Sequence, residues 1–147
     1  MDNLTKAGKL TRVINATAAG TTAINGSIID MKGFDSVTFI VSFGAITAGA
    51  VTSIKAQQGA QSNLSDAADL KGTSISVADT DDNKIVALEI EPSERYCRVV
   101  ISRATQNAVV DSGVAIQTKA HSEPVTHDTT TVIGSEYHGP SAAEGTA

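Results

Sequence analysis

Tryptophan is absent, and three phenylalanines and two tyrosines are the only aromatic rings in 147 residues. A core built on large rings is thereby excluded. Burial has to come from Val, Ile, Leu and Ala, each of which removes less apolar area from water. So lean a core gains from a partner surface, because anything that binds only the folded state stabilises it by mass action. An aromatic platform for stacking sugars is lacking as well, since Phe39 and Phe43 fall in core phase and leave mainly Phe34, Tyr96 and Tyr137. The single Cys97 rules out an internal disulfide and any dependence on an oxidising compartment. Its place among alternating apolar residues reads as a small buried hydrophobe. No segment approaches the ~20 apolar residues of a membrane helix, and MDNLTKAGKL lacks the apolar stretch of a secretory signal. Folding in a reducing cytoplasm, with no membrane partner, is the expectation. A basic patch is missing too. At net charge −5, a nucleic-acid partner would be repelled unless such a patch offset the phosphates, and none is expected to bind.

What the chain does have is alternation. In DSVTFIVSFG, Val37, Phe39, Val41 and Phe43 share one face while Thr38 and Ser42 take the other, the two-residue period of a strand. The pattern returns at Val86, Leu88 and Ile90, and at Cys97, Val99 and Ile101. Strands are expected at 11–17, 22–30, 36–43, 51–58, 73–78, 84–91, 95–103 and 108–119. Turn chemistry separates them at Lys32-Gly33, Asp81-Asp82-Asn83, Pro92-Ser93 and Thr105-Gln106-Asn107, with a turn or bulge at Asn25-Gly26 and a bulge at Ser112-Gly113. The fold class is therefore all-β: an antiparallel β-sandwich or barrel of about eight strands. The body spans 11–120, flanked by an N-terminal arm, 1–10, and a C-terminal arm, 121–147. In the long loop GAQSNLSDAADLKG, Ser65 is expected to cap one helical turn through Asp66–Leu70, with Asp66 set against the helix dipole. Beyond Ala120 the composition turns polar, with two of the three prolines and all three histidines. Its one β-favouring run, Thr129, Thr130, Thr131, Val132 and Ile133, is the candidate partner-binding segment, expected to add an edge strand to a neighbour.

Nothing in the body assembles a reaction centre. Asp79, Asp81 and Asn83 begin a calcium-loop pattern that then fails, with Lys84 where Gly is needed and Ile90 where a bidentate Glu belongs. His121, His127 and His138 lie in the tail, without the Cys or carboxylate spacing of a zinc site. No nucleophile elbow, dinucleotide fingerprint or Walker loop occurs. Glu89 and Glu91 share one strand face, where an exposed sheet surface accounts for them better than paired acid–base work. We expect no catalytic residue, no cofactor and no metal, and a chain that is not an enzyme.

The phrases MKGFDSVTFIVSFGAIT (31–47), IKAQQG (54–59), SDAADLKGT (65–73), DDNKIVALEI (81–90) and RYCRVVISRATQNAVVDSGVAIQ (95–117), in this order and spacing, resemble small virion structural proteins of tailed bacteriophages and prophages. The likeness covers roughly 30–120 and rests on no catalytic motif. It implies a head decoration (cement) protein, made in the host bacterial cytoplasm and placed on the outer surface of the capsid. The implied partners are the major capsid protein and neighbouring copies of the same chain, with a trimer favoured. A tail or head–tail connector subunit is the nearest structural rival, and a host-surface or glycan-binding module the rival of another class. The arms fall outside the resemblance.

Overall fold

The computed structural model describes residues 3–140 and 143–146, so the outermost ends of both expected arms lie outside the described residues. A single helical turn, α1 (Leu4–Ala7), leads into β1 (Lys9–Ile14), β2 (Thr17–Gly20), β3 (Ile24–Asn25), β4 (Ile29–Asp30), β5 (Phe34–Ile46) and β6 (Val51–Gly59). There follow β7 (Ala68–Asp69), β8 (Ile75–Val77), β9 (Ile85–Ile90), β10 (Tyr96–Ala104) and β11 (Ala108–Ala120). Every pairing is antiparallel. The first sheet runs β1-β11-β5-β9, with β2 sharing the β1 side of β11; the second runs β3-β10-β6-β7, with β4 beside β3 and β8 beside β7.

Each sheet is thus four strand positions wide, and the eight expected strands fall one on each position. The chain passes from sheet to sheet at nearly every turn and brings its first and last strands together, which is jelly-roll connectivity. Two expected strands are split. The second breaks at Gly26, whose N–H donates to the Val99 carbonyl at 2.8 Å; a Cβ there would stand 3.0 Å from that carbonyl oxygen. The expected bulge in the last strand is present one or two residues early, as a register shift between Val110 and Ser112.

Alternation explains the core. Val37, Phe39 and Val41 of β5, Ile54 of β6, and Cys97, Val99 and Ile101 of β10 have no exposed surface, and Phe43, Leu88 and Ile90 join the same cluster. The helical turn expected at Ser65 does not form. Asp66 instead turns its carboxylate back to accept the N–H groups of Ala60 (2.8 Å) and Gln61 (3.2 Å), while Ala68–Asp69 pairs with Gln57–Gln58. A short acidic side chain that satisfies nearby backbone donors competes directly with helix formation, and here it wins.

Arg103 is the one buried charged residue of the body. Its guanidinium donates to the carbonyls of Thr22 (2.7 Å), Ala18 (3.0 Å) and Ala108 (2.7 Å), clamping the β2–β3 corner to the β10–β11 hairpin. No carboxylate pairs with it among the described residues.

Candidate functional site

The residues capable of chemistry are dispersed into structural duties. The Asp79 carboxylate accepts the Gly49 N–H at 2.6 Å, Asp82 accepts that of Ile46 at 2.9 Å, and Asp81 accepts that of Ala78 while pairing with Lys84. Each carboxylate therefore clamps a turn. Its backbone donors, together with the Lys84 ammonium that is the largest influence, hold Asp81 below the usual carboxylate range. The three histidines sit apart: His121 on Asp35 at 2.8 Å, His138 on Glu136 at 2.9 Å, and His127 on backbone groups only. Among the described residues no three His, Cys, Asp or Glu side chains are grouped to hold a metal ion. Burial pushes the Cys97 thiol up to about 12, so at neutral pH it carries none of the thiolate that would make it a nucleophile.

The informative surfaces are the two outer faces of the sandwich. On the second sheet, Asp69 takes the Lys55 ammonium at 2.7 Å and the Gln57 amide at 2.8 Å, and Gln57 in turn accepts from Arg98 at 2.9 Å. At the end of β10, Arg95 grips Asp30 with two bonds of 2.9 Å, and this pairing holds the Asp30 carboxyl below its ordinary range. That face is a polar mesh. The first sheet carries polar links only toward one end, with Ser36 donating to Glu89 at 3.0 Å and Lys119 paired with Glu91. Pairing aligns Leu10 with Ile116, and Val114 with Ile40 and onward with Ala87, so an apolar patch crosses its outer face between Thr38, Glu89, Ser42 and Ser112, with Ile85 68% exposed at the rim. An antiparallel sandwich normally alternates apolar-in with polar-out, and Ile40, Val114 and Ile116 depart from that rule on the solvent side.

The tail frames this face. Residues 121–132 fold back along the free edge of β1: Val125 N–H donates to the Lys6 carbonyl at 2.8 Å, and Asp128 N–H to that of Leu10 at 3.3 Å. His127 accepts the Leu10 N–H at Nδ1 (3.0 Å) and donates from Nε2 to the Thr5 carbonyl (2.8 Å). Of the candidate segment, Thr129 and Thr130 are exposed in a turn, and the Thr131 hydroxyl accepts the Arg12 N–H at 3.0 Å. Val132 is half-buried, and Ile133 is exposed without any cover. The five residues do not form a strand here. Instead Val132 and Ile133 wall a groove of about 470 Å³ against Leu10, Arg12 and Val114. His127 carries more of this docking than the threonine run, and nothing in the sequence marks it: a histidine in a polar segment has no period or spacing to betray a backbone partner 117 residues away.

A scan against protein-family models finds none that matches the chain, and a search of curated proteins finds no match. Fold and surfaces therefore define the class: an all-β jelly-roll sandwich with a polar mesh on one outer face and an apolar patch on the other.

Proposed function

We propose that the chain is a decoration (cement) protein of a tailed-phage virion. It binds the outer surface of the assembled capsid and stabilises the lattice, without catalysis. The observation that carries the reading is the inequality of the two outer faces. A protein that must lie on a lattice and meet solvent on its other side needs an apolar docking patch and a hydrated face, and the Ile40–Val114–Ala87 patch and the Asp69–Gln57–Arg98 mesh suit those needs. The resemblance over 30–120 supports the same assignment, and the acidic balance suits a surface remote from packaged DNA.

In this reading the partners are the major capsid protein and neighbouring copies of the chain, grouped by preference as trimers. Of the candidate segment, Thr131, Val132 and Ile133 bear on the docked side through the groove they help to wall, and Thr129 and Thr130 form the exposed turn that leads into it. Seated copies bridge adjacent capsomers, so that internal pressure is carried across more interface.

The test is particle imaging combined with add-back. Heads lacking the protein should release DNA at lower temperature and recover when it is restored, and Ile40→Lys should abolish binding while keeping the fold. Density confined to the neck or tail would replace this reading with a connector subunit. Undiminished binding by Ile40→Lys would remove the apolar face from it.

A further inference from the structure

We infer that β9 is a pairing edge for a second copy of this chain, joining the first sheets of two copies across a two-fold axis at Ala87. A sheet edge offers unpaired N–H and C=O groups, and folded proteins cover or shorten such edges to prevent unwanted pairing. Three of the four edges here are treated in that way. The β1 edge is sealed by His127, Asp128 and Thr131, and its continuation, β2, has its Ala18 carbonyl taken by Arg103. The β3/β4 edge and the β7/β8 edge are made of strands of two or three residues.

The β9 edge is different. Its six residues pair with β5 in unbroken register, contain no proline, and among the described residues are covered on the far side by no other strand. Phe43 N–H donates to the Lys84 carbonyl at 2.9 Å, and an antiparallel ladder alternates. Val86, Leu88 and Ile90 therefore bond to β5, while Ile85, Ala87 and Glu89 turn their N–H and C=O groups outward. The same three side chains are exposed.

The charge order of this strand selects the occupant. Lys84 stands at its start, and Glu89 and Glu91 at its end. A parallel partner would set glutamate beside glutamate. An antiparallel second β9 sets Ile85 against the partner's Glu89, Ala87 against the partner's Ala87, and the cationic end against the carboxylate end, with no like charges opposed. Such a contact is isologous, and because the opposite edge of the sheet is sealed by the tail, it closes at two copies rather than growing into a fibre. It also extends the apolar outer face through Ala87 into that of the second copy. A two-fold contact of this kind links neighbouring groups and is separate from any three-fold grouping.

The test uses the whole chain in solution, so its outcome is independent of particle binding. Sedimentation should show the mass doubling with rising concentration, with the Ala87 and Glu89 amides slowing in hydrogen exchange over the same range. An antiparallel bonded pair places Cα atoms ~5.5 Å apart, within disulfide reach. Ala87→Cys should therefore form a covalent dimer under mild oxidation, whereas Ser76→Cys, on the edge strand of the other sheet, should not; Cys97 is buried and takes no part. Ile85→Glu, which opposes the partner's Glu89 with a like charge, should keep the monomer's melting temperature and suppress the doubling. A chain that stays monomeric with unchanged exchange at Ala87 overturns the inference. So does a dimer that survives Ile85→Glu, or one that cross-links equally from Ser76→Cys and Ala87→Cys.

Discussion

Leu10 donates its backbone N–H to Nδ1 of His127 at 3.0 Å, and the same ring donates from Nε2 to the Thr5 carbonyl. The two bonds together fix a neutral imidazole with its proton on Nε2. One side chain thus does for the β1 edge what a neighbouring strand would otherwise do.

His127→Ala should free the tail without unfolding the sandwich. Its core lies upstream, and among the described residues none of the buried cluster lies beyond Ala120. Faster exchange at the Leu10 amide and proteolysis after residue 120, at an unchanged melting profile for the body, are the expected results. Loss of the whole cooperative transition would make the tail part of the domain's own core.

Phe39 has no exposed surface, and Phe39→Ala should cost about 3–5 kcal/mol, a large share of the stability of a small domain. Val41→Asp and Val99→Asp should unfold the protein outright, since each sets an unpaired carboxylate among apolar groups. Ile85→Ala, at the exposed rim, should stay within about 0.5 kcal/mol of the parent. Denaturant unfolding of the four variants checks the order.

A Cβ on Gly113 would meet the Ile14 Cβ at 2.9 Å, where β1 and β11 shift register. That atom is fixed to the backbone and cannot swing away. Gly113→Ala should cost about 1–3 kcal/mol. Combined with Ile14→Ala it should lose less than the sum of the two single changes, because the Ile14 Cδ1 and Cγ1, which also crowd the new methyl at 2.9 and 3.0 Å, are then gone although the Cβ remains.

Arg103→Met should be among the most damaging single changes outside the apolar core. It strips the donors from the carbonyls of Ala18, Thr22 and Ala108, and a buried carbonyl left unpaired costs about 1–3 kcal/mol. Arg103→Lys should recover only part of the loss in thermal unfolding, since an ammonium lacks the planar fork that reaches both corners.

The Asp30 carboxyl is held below its ordinary range chiefly by the Arg95 guanidinium. A folded-state value below the unfolded one gives stability that is complete above the ordinary carboxylate range, ~3.9, and is lost as pH falls through the depressed value. Melting temperature should thus decline in acid rather than between neutrality and mild acidity. Asp30→Asn should flatten part of that decline, by a small amount because both partners are half exposed.

The eight strands were legible because each inward run alternates cleanly: Val37, Phe39 and Val41 announce β5, and Cys97, Val99 and Ile101 announce β10. The turns at Gly33, Asn83 and Thr105 were legible too, and each of these residues takes the positive φ that their loops require. What stayed hidden depends on partners distant in sequence. Asp66 looks like a helix-start residue until the backbone of Ala60 comes within its reach, and His127 has no meaning without Leu10. The apolar outer face is likewise invisible in any one strand, because Ile40, Val114 and Ala87 form a patch only once register aligns β5, β11 and β9.

The pairing of β1 with β11 also sets a timetable. During synthesis, β5 emerges early but waits for β9 on one side and, on the other, for β11, the last strand made. Neither sheet is complete before β10 and β11 arrive, so the nascent chain must carry its apolar strands unsatisfied for most of translation. Non-local pairing of this kind folds slowly and exposes sticky surface meanwhile. Shortening the message beyond Ala104 would therefore yield an aggregating fragment rather than a smaller sandwich.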